Sequence, residues 1–152
     1  MASKFGVNYN NAIQVVPSNK VDVSKWGGRM RVMFDSFALS GDLAAADKIF
    51  MGKLPKGAVV YDAILAFSDL DAAGGTVDVG YEYADALLVD DPDAFLAAVD
   101  VTSAGSVGMI EQANMVGFGY EVEGDADVIV TVVGDTDAVT GTIKLAIFYA
   151  LD

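Results

Sequence analysis

Residues 53–83 read K-L-P-K-G-A-V-V-Y-D-A-I-L-A-F-S-D-L-D-A-A-G-G-T-V-D-V-G-Y-E-Y. Pro55 and Gly57 mark a turn, and a β-type run follows them to Phe67. A loop through Asp69, Asp71, Gly74 and Gly75 breaks that run, and a second strand spans Thr76 to Tyr83. The second strand alternates cleanly: Val77, Val79, Tyr81 and Tyr83 share one face, and Thr76, Asp78, Gly80 and Glu82 the other. In the first strand both faces are apolar. Val59, Tyr61, Ala63, Leu65 and Phe67 lie on one side, and Ala58, Val60, Ile64 and Ala66 on the other, interrupted by Asp62. Such a strand is expected to be covered on both sides.

The same reading extends in both directions. Upstream, Arg29 to Ala38 alternates, with Met30, Val32 and Phe34 expected to face the core and Arg29, Arg31, Met33 and Asp35 to face away. Ser40-Gly41-Asp42 is a turn, and Asp47 to Leu54 is a short strand. Downstream, Asp91-Pro92-Asp93 before an alanine-rich run predicts a short helix over Pro92 to Val99, with Asp91 as its cap and Pro92 in its first turn. Thr102 to Gly108 reads as a flexible link. Strands are expected over Met115 to Glu123, Ala126 to Val133 and Val139 to Leu151, the last with Ile143, Leu145, Ile147 and Tyr149 on one face. Seven or eight strands joined by glycine and aspartate turns make an all-β protein. The expected fold is a β-sandwich of jelly-roll type with one short helix. Residues 1–28, with Asn8, Asn10, Asn11, Gln14, Ser18 and Asn19, read as an extended N-terminal arm before a sandwich domain at 29–152.

Composition narrows the function. The chain has 152 residues, no cysteine and no histidine. A chain of this length buries about 68–70% of its unfolded surface and needs no staple. Without cysteine there is no disulfide and no thiol chemistry, and without histidine the commonest general base and transition-metal ligand is gone. No catalytic residue, cofactor or metal is assigned, and the chain reads as a non-enzyme. The formal net charge is −13, which disfavours direct contact with nucleic acid. No run of roughly 20 apolar residues could span a membrane as a helix, and the N-terminus does not resemble a signal peptide. The charge is also uneven. Residues 1–56 hold eight basic and four acidic residues, and residues 57–152 hold Lys144 and eighteen acids. The basic front segment is suited to an acidic partner surface, including a second copy of this chain.

Aspartates recur in pairs: Asp69 and Asp71, Asp90, Asp91 and Asp93, Asp125 and Asp127, Asp135 and Asp137. Oxygen ligands at such spacing can hold calcium, but none matches a calcium loop, and aspartate equally caps turns. Tyr81, Tyr83 and Tyr120 could stack on sugars, although Tyr81 shares the apolar face of its strand. Trp26, the only tryptophan, sits beside Gly27-Gly28 and is either an anchor for the arm or a partner contact. Tyr9, Lys25, Trp26, Arg29 and Arg31 form the candidate contact set. Met33, Phe37, Phe50 and Phe148 fall opposite the clearer core positions, so some of them are expected at an assembly surface.

The segments G-K-L-P-K-G-A-V-V-Y-D-A-I-L-A-F-S-D-L at 52–70, G-T-V-D-V-G-Y at 75–81 and D-D-P-D-A-F-L-A-A at 90–98 resemble small virion proteins of tailed bacteriophages, of the capsid decoration or cement type. The resemblance spans about residues 46–100. What it carries over is structural: Pro55 and Gly57 at the turn, and Gly80-Tyr81 in the second strand. It implies a homo-oligomer, a trimer by preference, on the outer surface of the phage head. There it would bind the major capsid protein and stabilise contacts between capsomers. The alternative from the residues is a carbohydrate-binding β-sandwich module, presented on a virion as a host-contact or head-fibre component.

Overall fold

The computed structural model describes residues 21, 25–70, 74–134, 138 and 140–151. Eight strands follow one another: β1 Met30–Leu39, β2 Lys48–Leu54, β3 Val59–Phe67, β4 Thr76–Tyr83, β5 Asp91–Asp100, β6 Gly105–Gly108, β7 Ala126–Val132 and β8 Gly141–Ala150. They form two four-stranded sheets, ordered β1-β8-β3-β6 and β2-β7-β4-β5. Every pairing is antiparallel. First pairs with last, second with seventh, third with sixth and fourth with fifth. This is one long hairpin rolled up so that successive pairs alternate between sheets, a jelly-roll topology that matches the expected fold.

The turn at Pro55 and Gly57 is the roll in miniature. Ala58 N–H closes it on Pro55 C=O at 3.1 Å, and Gly57 takes a positive φ of 84°. The chain thereby leaves the second sheet at Leu54 and enters the first at Val59. β4 behaves as its alternation requires, with Val77, Val79, Tyr81 and Tyr83 buried. In β8, the central partner of β1 and β3, Ile143, Leu145 and Ile147 are buried. β7 lies between β2 and β4, and Val128, Val130 and Val132 line the same core.

β3 departs from simple alternation. Its register against β8 slips between Val60 and Asp62, so Tyr61 is an extra residue. The bulge reverses the phase: Val60 faces the core before it, and Ala63, Leu65 and Phe67 face the core after it. Val59 and Tyr61 therefore do not share the face of Leu65. The outer side of β3 is covered only at its start, where Val59 bridges to Glu121 and Tyr61 meets Phe118 edge-on at 6.1 Å. Ile64 is exposed.

Residues 91–100 are strand, not the expected helix, and no α-helix occurs among the described residues. An isolated helix of two turns is marginal in water. Pairing along β4 instead buries Ala94, Phe95, Leu96 and Val99, and that gain overrides the helix propensity of the alanines. Pro92 suits an edge strand, which needs no outward N–H. The expected flexible link at 102–108 contains β6, because the free side of β3 accepts Gly105 to Gly108 against Phe67 to Ile64. The expected strand at 115–123 is turn over 115–119, with Gly119 at positive φ, and then forms a single bridge at Glu121. β1 is a strand whose faces are reversed. Met33 and Phe37 pack against the core and Leu39 is buried, while Met30, Val32 and Phe34 point outward. The N-terminal arm lies outside the described residues, apart from Val21 and residues 25–28.

Candidate functional site

The outward faces of the two sheets differ in chemistry. On the second sheet, Lys48 pairs with Glu82 across β7, and Lys53 pairs with Asp127 at 2.9 Å. The Asp78 carboxylate accepts the Ala98 N–H at 2.7 Å. This face carries two ion pairs and a further carboxylate held by backbone, with Phe50 exposed beside them.

On the first sheet, register places Val32, Phe148 and Asp62 in one row and Phe34, Ala146 and Ile64 in the next. Residues opposite one another in a ladder point the same way. Met30, Val32 and Phe34 are 56%, 56% and 64% exposed. They form an apolar stripe that continues onto Ile64 and the half-buried Phe148. A contiguous apolar surface of this kind marks a place where something binds. The sequence reading put this stripe in the core, because the other phase of β1 carries Arg31 and Asp35, yet Met33, Phe37 and Leu39 of that charged phase are the ones that meet the core. Of the four residues expected at an assembly surface, Met33 and Phe37 are core residues, Phe50 is exposed and Phe148 is intermediate.

The candidate contact set is spread along the entry to β1. Lys25 Nζ reaches Glu121 at 3.0 Å. Trp26 is 52% exposed in the turn that follows. Arg29 precedes β1, and Arg31 lies on it opposite Tyr149; both are exposed. Tyr9 lies outside the described residues.

The tyrosines do not form a stacking platform. Tyr81 and Tyr83 are buried, with Tyr81 stacked on Tyr120 at 5.3 Å and set edge-on to Tyr83 at 5.0 Å. The Tyr83 and Tyr120 hydroxyls are 2.8 Å apart, and Tyr83 accepts the Glu123 N–H. Burial pushes Tyr120 up to about 12, opposed by its bond to Tyr81 and reinforced by Tyr83, and burial followed by Tyr120 and Tyr83 pushes Tyr81 well above its usual range. Tyr81 and Tyr120 pack with the core and stay neutral at any ordinary pH.

The aspartates serve the backbone. Asp90 accepts from Tyr83 N–H, Asp125 from Lys56 N–H, Asp85 from Leu87 N–H and Asp100 from Thr102 N–H and Oγ. Thr102 thereby holds the Asp100 carboxyl below its usual range, whereas burial and the Asp93 carboxyl raise Asp91. Asp71, Asp135 and Asp137 lie outside the described residues. A hollow of about 460 Å³ is lined by Lys56, Asp85, Leu88, Glu123 and Asp125, but Asp125 is already committed to Lys56 N–H. Among the described residues, no group of three acids is placed to hold a metal ion.

Comparison with solved structures gives this architecture a context. A chain of the capsid asymmetric unit of cyanophage Pam1 superimposes with a TM-score of 0.66 at 27% identity, covering 84% of this chain and 88% of that one. A chain of the capsid of Ralstonia phage GP4 also gives a TM-score of 0.66, at 29% identity, covering 82% and 86%. The chain is similar in structure to chains of bacteriophage capsids. That likeness covers more than four-fifths of each chain compared. No family model matches the sequence. No curated protein matches it significantly.

Proposed function

We propose that this chain is a capsid decoration protein, which binds the outer face of a phage head and stabilises contacts between capsomers. The observation that carries the reading is the similarity to chains from two phage capsids over more than four-fifths of each partner. The two sheet faces support it. One carries two ion pairs around a single exposed Phe50, and the other presents the run Met30, Val32, Phe34 and Ile64.

In this reading residues 1–28 are an arm that lies over the major capsid protein, and residues 29–152 are the sandwich it tethers. Trp26, Arg29 and Arg31 make the principal contacts, with Tyr9 and Lys25 beside them. Copies associate, as a trimer by the resemblance, and many weak contacts on a lattice sum through multivalency. With a net charge of −13 the protein has no direct role on nucleic acid.

The test is addition of purified protein to phage shells that lack it. Saturable binding with raised heat resistance, and density for the sandwich outside the shell in a map of the particle, are the expected results. No binding, or density confined to the tail, would sink the reading.

A further inference from the structure

Four strands lie at sheet edges, and three of them are blunted. β2 is bulged between Phe50 and Gly52 and carries Lys48 and Lys53. β5 is bulged twice, contains Pro92, and has its outer backbone occupied: Gln112 bonds both the N–H and the C=O of Ala97, and Asn114 donates to Ala94 and Phe95 C=O. β6 has only four residues. Bulges, lysines, prolines and shortness are the devices by which edges avoid pairing with another chain.

β1 has no bulge, lysine or proline, and the two charges in its core-facing phase, Arg31 and Asp35, are of opposite sign. Its ten residues pair with β8 from Met30↔Ala150 to Leu39↔Gly141 without a break. Outside its ladder with β8, the described hydrogen bond at this strand is local, from Ser36 N–H to the carboxylate of the adjacent Asp35. Among the described residues, the segment from Lys25 into β1 runs elsewhere, since Lys25 is held at Glu121 on the far side of β3 and β8.

The sequence of β1 also indicates what fits it. In an antiparallel pairing of β1 with itself, centred on Met33, Arg31 faces Asp35 of the second copy and Asp35 faces its Arg31. Val32 likewise faces Phe34 in both directions, and Met30 faces Ser36. Arg31 makes no ion pair among the described residues. Moving the centre to Val32 would set Arg29 against Asp35, but it leaves a shorter stretch of each strand paired. Opposite charges and apolar pairs placed directly across a ladder are its stabilising units, and a two-fold contact must be self-complementary in this way.

We infer that β1 is a homophilic edge, through which two copies of this chain join their first sheets into one continuous sheet about a two-fold axis at Met33. The junction makes the Val32–Phe34 stripes of the two copies a single apolar surface. It does not depend on the capsid reading. On a lattice it would link copies belonging to neighbouring oligomers.

Sedimentation of the full chain over micromolar concentrations tests it. The parent protein dimerises. Arg31→Glu and Asp35→Lys each lower the association constant by on the order of tenfold, since each sets like charges across both positions. An equimolar mixture of the two variants restores dimers, because each then meets its complement. Both residues are exposed, and unchanged thermal unfolding verifies that the variants fold. A second arm uses the absence of cysteine: Met33→Cys forms a disulfide-linked dimer under mild oxidant and Phe50→Cys, on the other sheet, does not. The inference is overturned by a monomeric parent, by an oligomer indifferent to both charge variants, by a mixture no tighter than its components, or by equal cross-linking at Phe50. Failure to bind shells by a protein that dimerises in this way would refute only the capsid reading.

Discussion

Gly80 of β4 lies directly beneath the Asp91–Pro92 peptide of β5, so close that a Cβ at Gly80 would overlap the Asp91 carbonyl oxygen and the carbonyl carbon of Pro92. The register passes from Val79↔Leu96 to Tyr81↔Asp91 around this point, so β5 buckles over the glycine. Backbone cannot swing aside as a long side chain can. Gly80→Ala is expected to cost about 1–3 kcal/mol through overpacking, read as a lowered urea midpoint. An unchanged midpoint would mean that β5 is not seated on this glycine.

Asn114 holds the outer edge of β5 in place. Its amide donates to Ala94 and Phe95 C=O at 2.9 and 3.1 Å, and its carbonyl accepts from Val116 and Gly117 N–H. Asn114→Ala removes all four bonds and leaves half-buried acceptors bare, a loss of about 1–3 kcal/mol. Asn114→Asp keeps the accepting role but sets a carboxylate oxygen against the Ala94 and Phe95 carbonyls, so at neutral pH its denaturation midpoint should fall well below that of the parent.

Two phenylalanines separate stability from assembly. Phe95 is fully buried, and Phe95→Ala is expected to cost about 3–5 kcal/mol in chemical denaturation. Phe34 is 64% exposed, so Phe34→Ser should change stability by no more than about 0.5 kcal/mol while reducing association in sedimentation and occupancy on shells. Equal loss of stability in both variants would place Phe34 in the core.

The tyrosine cluster predicts the alkaline limit of the fold. Tyr120 is raised from 10.0 to about 12 and Tyr81 further, burial being the first cause in each. The unfolded chain therefore releases these protons at lower pH than the folded one. Their contribution to stability is complete below pH 10 and is lost as pH rises toward 12. Tyrosinate absorbance should show Tyr81 and Tyr120 titrating late in the native protein and normally in denaturant. A single ordinary transition for all six tyrosines would contradict the packing described.

Asp91 predicts an opposite tilt to that of an ion-paired carboxylate. Burial and Asp93 raise its carboxyl above 3.8. Its stabilising contribution is present below that value and is lost as pH rises through the higher folded value. Asp91→Asn should flatten this part of the stability–pH curve, with equal or greater stability at neutral pH. A sharply less stable variant would assign the carboxylate a structural bond in its ionised form.

Residues that carry one clear pattern were legible without coordinates. β4 alternates between apolar and polar positions, β8 does so through Ile143, Leu145 and Ile147, and Pro55-Gly57 can only turn, so the all-β class and the jelly-roll sandwich follow from residue order. The candidate contact surface was legible only in part. A basic, tryptophan-bearing entry to β1 is visible in the sequence, but the apolar stripe beside it is not, because Met30, Val32 and Phe34 alternate with Met33, Phe37 and Leu39.

Local preference by itself determined the strand class, the turns and the lack of histidine and cysteine chemistry. Tertiary structure decided the rest, and in each case through a partner strand distant in sequence. β4 made a strand of the helix-prone residues 91–100 by burying Phe95 and Leu96. The free side of β3 made a strand of Gly105 to Gly108, which have no pattern of their own. The bulge at Tyr61, set by pairing with β8, reversed the faces of β3, and pairing with the other side of β8 determined which half of β1 met the core. Side-chain periodicity reports that a segment has two faces. Only the strand beside it and the sheet across from it determine which face is buried.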